Sequence, residues 1–127
     1  NSKVIHLGKV PFQDLKYLLS NANAFLMPNI KIQGDMEGFG LVCLEASIAG
    51  CLVVASKIEG ITSAIKNGEN GILLASENSS EWINQLQDIL NNEIGYQEKA
   101  EQYKKYTLKN FSWKKMSEEY FKLFQSL

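Results

Sequence analysis

Arginine is absent from this 127-residue chain, and histidine occurs once, as His6. Without Arg, the chain has no planar guanidinium fork, the group best suited to bidentate phosphate contacts. All 13 cations are lysines, set against 14 acids, for a formal net charge of −1. That balance excludes nucleic-acid binding as the main task, which needs a strongly basic surface. Cysteine is limited to Cys43 and Cys51. Two are too few for a disulfide framework, and no secretory signal precedes them. Both lie in apolar stretches and read as small buried hydrophobes in a reducing compartment, so the expected location is cytoplasmic. No apolar run reaches the roughly 20 residues that cross a bilayer. No His, Cys, Asp and Glu cluster has the spacing of a metal site, so no metal is expected. A Gly-x-Gly-x-x-Gly turn is missing after the first strand-like run, where Leu7-Gly8-Lys9-Val10-Pro11 holds one glycine, and a P-loop is missing too.

What is present is ordinary globular composition, with 45% hydrophobic residues. A chain of this length can bury one core. It opens at Asn1 rather than Met, which reads as a piece of a longer protein. Lysines gather late: residues 91–127 hold seven lysines and five acids, whereas 51–90 hold two and five. A solvated helical face accounts for that cluster more simply than a membrane patch.

Apolar patterning divides the chain into alternating strands and helices. Val4-Ile5-His6-Leu7, closed by Gly8, reads as a strand. Pro11 sets a first helical turn, and Phe12, Leu15, Leu18 and Leu19 recur at helical spacing. Ala24-Phe25-Leu26-Met27 is a second strand, stopped by Pro28. A polar loop from Asn29 to Gly38 leads to a buried helix over Phe39 to Ala49, with Gly50 just past its end. Leu52-Val53-Val54-Ala55 is a third strand and Gly71-Ile72-Leu73-Leu74 a fourth, with a short helix over Ile61 to Lys66 between them. A helix opens at Ser79, with Trp82, Leu86, Ile89 and Leu90 on one face. Two more follow near 95–109 and 112–126. In the last, Trp113, Met116, Tyr120, Phe121 and Phe124 form an aromatic stripe whose default reading is core packing. The order implies an α/β fold, a doubly wound parallel sheet of about four strands with C-terminal helices. Ligands of such sheets sit at the carboxyl ends of the strands, which directs the search to the loops after Leu7, Met27, Ala55 and Leu74.

The most informative stretch is Glu37-Gly38-Phe39-Gly40-Leu41-Val42-Cys43-Leu44-Glu45. Two glycines at a helix start let the backbone approach a ligand closely. The amides of Phe39, Gly40 and Leu41 are then helix N-terminal donors for a phosphate or diphosphate. Glu45 is the only charged residue between Phe39 and Ser56. Among Val42, Leu44, Ile48 and Ala49 it is expected in the interior, where an ionised carboxylate costs several kcal/mol without partners. Pairing with a backbone amide or a lysine would satisfy it. So would a pair of adjacent hydroxyls, as on a ribose, through bonds worth roughly 1.5–3 kcal/mol each. Glu37, in the loop mouth, is placed for the helix N-terminus, or for sugar hydroxyls and a developing positive charge.

An acid, Gly-Phe-Gly-Leu, and a second Glu after seven intervening residues resembles the E-x7-E motif of retaining glycosyltransferases of the GT-B fold, closest to the large group 1, or family 4. The resemblance covers nearly the whole chain. Val4 to Gly8 resembles the family's strand ending in Gly. Leu18 to Pro28 resembles its "Y..AD.F..P" stretch. Glu45-Ala46 with Ala49-Gly50 resembles "EAMA.G.P". Asn67-Gly68-Glu69-Asn70-Gly71 resembles its "DG.NG" turn, and Phe111-Ser112-Trp113 its "FSW". The resemblance implies a Rossmann-like half of a GT-B fold. Residues 1–127 would be the later part of a C-terminal nucleotide-sugar-binding domain, without the N-terminal acceptor domain or this domain's first strands. The fragment would be inactive alone. It implies that Glu45 holds the ribose hydroxyls of a UDP-, GDP- or ADP-linked donor sugar. Glu37 would contact the donor sugar as the catalytic residue, and Gly38, Phe39, Gly40 and Leu41 would meet sugar and diphosphate. No cofactor or metal is implied. The product keeps its anomeric configuration, and the acceptor is a cell-surface polysaccharide, a lipid or a small molecule. Partners implied are the nucleotide-sugar donor and the missing N-terminal domain. Peripheral contact with the inner face of a membrane, and self-association through the last helix, stay open.

The sequence departs from the family pattern at several places. Asn23 stands for the usual Asp, Asn29 for Ser, and Cys51 for Pro. Glu59 replaces one glycine of a pair, Ser63 stands where a Glu often follows, and the 30–36 loop is long. The alternative reading is a non-catalytic interaction module that kept the fold.

Overall fold

The computed structural model describes residues 3–34, Gly38 and 40–126. Helix α1 spans Phe12–Asn21 and leads into strand β1, Ala24–Met27. Helix α2, Leu41–Ile48, precedes β2, Leu52–Ser56, and the short α3, Ile61–Ala64, precedes β3, Ile72–Leu74. Three helices complete the chain: α4 (Ser79–Asn91), α5 (Glu93–Asn110) and α6 (Trp113–Gln125). The strands form one parallel sheet in the order β1-β2-β3, with Ala24 opposite Leu52 and Val54 opposite Ile72.

Side-chain alternation along β2 sorts the core into two layers. Val53 and Ala55, with Phe25, Met27 and Leu73, face α1, α2 and α3. Leu52 and Val54, with Ala24, Ile72 and Leu74, face α4 and α5, where Ile89, Tyr96, Ala100 and Tyr103 close the layer. Every residue of β2 is buried. This is the expected α/β class, a parallel sheet with helices on both faces.

The sheet has three strands among the described residues, not four. Val4–Leu7 lies outside it, with Val4 84% and Ile5 79% exposed. A strand is a fit to a neighbouring ladder and a half-buried surface, and no described strand runs beside this segment. The aromatic stripe of α6 is a second correction. No residue of that helix is buried, and Trp113 is 85% and Phe124 70% exposed. On α4 the buried line is Trp82, Leu86 and Ile89, and Leu90 points outward.

The turn from α3 to β3 shows why the Asn67–Gly71 pattern is needed. Asn70 is fully buried; its Oδ1 accepts from the Lys66 amide (2.7 Å) and its Nδ2 donates to the Ala64 carbonyl (3.0 Å). Asn67 Oδ1 accepts from the Leu73 amide (2.9 Å). Gly68 sits at φ +80°, and a Cβ on Gly71 would lie 2.7 Å from Ile65 Cγ2.

The amino ends of the strands are fastened by α5. Ser47 and Thr107 share a buried hydroxyl–hydroxyl bond (2.8 Å), and Thr107 Oγ1 donates to the Tyr103 carbonyl. Asn23 Nδ2 donates to Glu93 Oε1 (2.5 Å). Gly50, at φ +89° just past α2 as expected, packs near the side chains of Glu101 and Lys104.

Candidate functional site

Beyond the carboxyl ends of β1 and β2 lies a cavity of about 760 Å³. That is within the range of small-molecule sites, and it is where an open parallel sheet places its ligand. One wall is the loop from Asn29 to Gly34, and the other runs from Ile58 to Ser63. Among the described residues, Lys31 and Glu59 are its only ionisable lining residues. Ser76 Oγ, past the end of β3, donates to the Asn29 carbonyl (3.2 Å) and ties the third loop to the first. The start of α4 is fixed to the same loop. Trp82 Nε1 donates to the Ala75 carbonyl, and Glu81 accepts from the Ala75 amide.

Helix α2 begins at this edge. Gly40, its N-cap, is at φ +75°, a left-handed conformation that a side chain would strain, and among the described residues no side chain caps the helix. The amides of Leu41 and Val42 therefore have no intrahelical acceptor, whereas that of Cys43 donates to the Gly40 carbonyl (2.9 Å). Leu41 is 64% exposed, and Gly38 is exposed nearby. Glu37 and Phe39, the other residues expected at this start, lie outside the described residues.

Glu45 is not where the sequence places it. It is exposed, in line with Leu41 and Ile48 on the outward stripe of α2, while Cys43, Leu44, Ala46 and Ser47 face inward. Apolar residues on both faces of α2 hid which face is buried. No desolvation penalty therefore demands a ligand for this carboxylate. Glu45 instead lines a second groove of about 390 Å³ between α1 and α2, together with Phe12, Leu15, Lys16, Ile48 and Lys104. It makes no side-chain hydrogen bond or ion pair with another described residue.

Lys31 and Gln33 were missed as lining residues, because a long polar loop carries no periodicity that fixes its direction. The usable signal was departure from the family pattern. Asn29, Glu59, Ser63 and the long loop, four of the departures, surround one cavity. Ser56, at the end of β2, adds an unusual group. Its hydroxyl is buried with no hydrogen-bond partner among the described residues. Cys43 and Cys51 are buried free thiols, and burial pushes the Cys51 thiol up to about 11. Among the described residues no group of three His, Cys, Asp or Glu could hold a metal, and no helix is long and apolar enough to cross a membrane.

Residues 1–110 match the family model for glycosyl transferases group 1. A D-inositol 3-phosphate glycosyltransferase of Paenarthrobacter aurescens is 35% identical over 86 residues, covering 68% of this chain and 20% of that protein. A glycogen synthase of Mycobacterium tuberculosis is 29% identical over 107 residues, covering 84% of this chain and 25% of that one. The chain thus spans about a quarter or less of these curated relatives. Among solved structures, the sucrose-phosphate synthase of Thermosynechococcus elongatus superposes with a TM-score of 0.75 at 25% identity, over 95% of this chain and 30% of that one. Anabaena Alr3699/HepE in complex with UDP superposes at 0.72 with 22% identity, over 87% of this chain and 29% of that one. The parallel sheet, the uncapped glycine turn at its carboxyl edge and the family match together show that this chain belongs to the group 1 glycosyltransferases of the GT-B fold.

Proposed function

We propose that this chain is the later part of the donor-binding domain of a retaining glycosyltransferase, which takes a nucleoside diphosphate sugar and transfers its glycosyl group to an acceptor held by another domain. The observation that carries the reading is the start of α2. An uncapped helix opens from a left-handed glycine at the carboxyl edge of a parallel sheet, within the segment that resembles the family's E-x7-E motif. The amides of Gly40 and Leu41, which have no intrahelical acceptor, suit a diphosphate through their own partial charge and the helix dipole. A solved neighbour of the same fold holds UDP.

In this reading the amides of Gly40 and Leu41 receive the diphosphate. Glu45, accessible in its groove, accepts hydrogen bonds from the ribose hydroxyls. Glu37 contacts the donor sugar and stabilises the positive charge that develops at the anomeric carbon as the diphosphate leaves. The acceptor hydroxyl attacks from the departing group's face, so configuration is kept. No resident cofactor or metal takes part.

Calorimetry and steady-state kinetics on the full-length protein test this. Glu45→Ala is expected to weaken donor binding by about 2–4 kcal/mol, less than the roughly 3–6 kcal/mol of two charge-assisted hydrogen bonds because this carboxylate is exposed to water. Glu37→Gln is expected to lower kcat more than it raises KM. Wild-type donor affinity in the first variant and wild-type kinetics in the second would overturn these assignments.

A further inference from the structure

Resting on that reading, we infer that Lys31 and Glu59 select the glycosyl group of the donor from opposite walls of the carboxyl-edge cavity. Both side chains are exposed, and neither makes a hydrogen bond or ion pair with another described residue. The lining mixes one ammonium, one carboxylate, the Ser63 hydroxyl and the side-chain amides of Asn29 and Gln33. The formal charge of the described lining cancels. A diphosphate gains little from such a wall, because Glu59 opposes what Lys31 attracts, and the uncapped start of α2 offers it a better place. A neutral polyol matches the wall well. Each sugar hydroxyl both donates and accepts, so it can donate to Glu59 and accept from Lys31.

The two residues come from separate elements. Lys31 sits on the long loop after β1, and Glu59 on the turn after β2, next to Gly60 at φ +91°. A sugar between them is read from two directions, which is what telling epimers apart requires. A site built to bond a hydroxyl in one orientation rejects the epimer, because the protein's polar group is then left unpaired.

The test uses the full-length protein with Lys31→Met and Glu59→Gln, both close in shape to the originals and both at exposed positions. Dissociation constants and kcat/KM are measured for UDP-glucose with UDP-galactose, GDP-glucose with GDP-mannose, and ADP-glucose with ADP-mannose. UDP, GDP and ADP serve as controls without sugar. Each variant is expected to change the epimer ratio for the preferred base by about tenfold or more, with nucleoside diphosphate affinity held within twofold. An unchanged epimer ratio would overturn the inference and leave the donor reading standing. Equal losses for sugar nucleotide and nucleoside diphosphate would overturn it by making Lys31 a diphosphate ligand. A change confined to the acceptor KM would overturn it by making the cavity an acceptor site. A wild-type protein that binds none of the nucleotides would overturn the donor reading itself.

Discussion

At the scale of single residues, burial sets the behaviour of two groups that take no part in the proposed chemistry. Ser56 keeps a hydroxyl out of water without a partner among the described residues, a desolvation cost with no bond in return. Ser56→Ala is expected to raise stability by about 1 kcal/mol, read as a higher urea midpoint at unchanged slope. Cys51 holds its proton to about pH 11 because burial disfavours the thiolate. Tyr103 is pushed up by burial as well, Tyr96 by its hydrogen bond to Asp88, and Tyr106 by its hydrogen bond to Glu69. All four are acids whose folded pKa is raised. The unfolded chain therefore sheds these protons first, and stability is full below about pH 8.5 and declines as pH rises through 11. Urea midpoints measured from pH 8 to 11 should fall steadily, and less steeply for Cys51→Ala.

Residue by residue, the site was only partly legible. The glycines at the start of α2 stand out in sequence because a left-handed cap needs Gly. The environment of Glu45 did not, since Leu41 and Ile48 are apolar yet outward. Composition names a side chain's preference, and only the neighbouring element decides which face is covered.

At the scale of elements, alternating apolar runs and breakers located β1, β2, β3 and all six helices to within a few residues. The strand expected at Val4–Leu7 and the core role expected of the α6 stripe failed because apolar patterning reports a side chain's preference, and both segments stay exposed. The α3–β3 turn offers a sharper check. Asn70→Ala leaves the Lys66 amide and the Ala64 carbonyl without their side-chain partner in the interior, and is expected to cost about 2–4 kcal/mol. Asn67→Ala, at an exposed position, should cost about 1 kcal/mol. Similar losses for both, measured by chemical denaturation, would contradict the difference in burial.

For the whole molecule, the notable surface is the unburied side of α6, where Trp113, Tyr120, Phe121 and Phe124 face water. Exposed apolar surface of this kind favours association. In a Trp82→Phe variant of this chain, Trp113 fluorescence should be red-shifted and readily quenched by acrylamide at low concentration. It should move to the blue as concentration rises, with a matching increase in mass by sedimentation. A blue emission independent of concentration would mean that α6 packs within the chain.

The two ends of the sheet are held by different kinds of contact. Hydrogen bonds from Ser47 and Asn23 to α5 secure the floor, and Ser76 ties the loop after β3 to the loop after β1. The base is thus knit to a helix through buried and surface side chains, whereas the rim is drawn together from loop to loop, so a ligand seated there meets backbone that strand pairing does not hold.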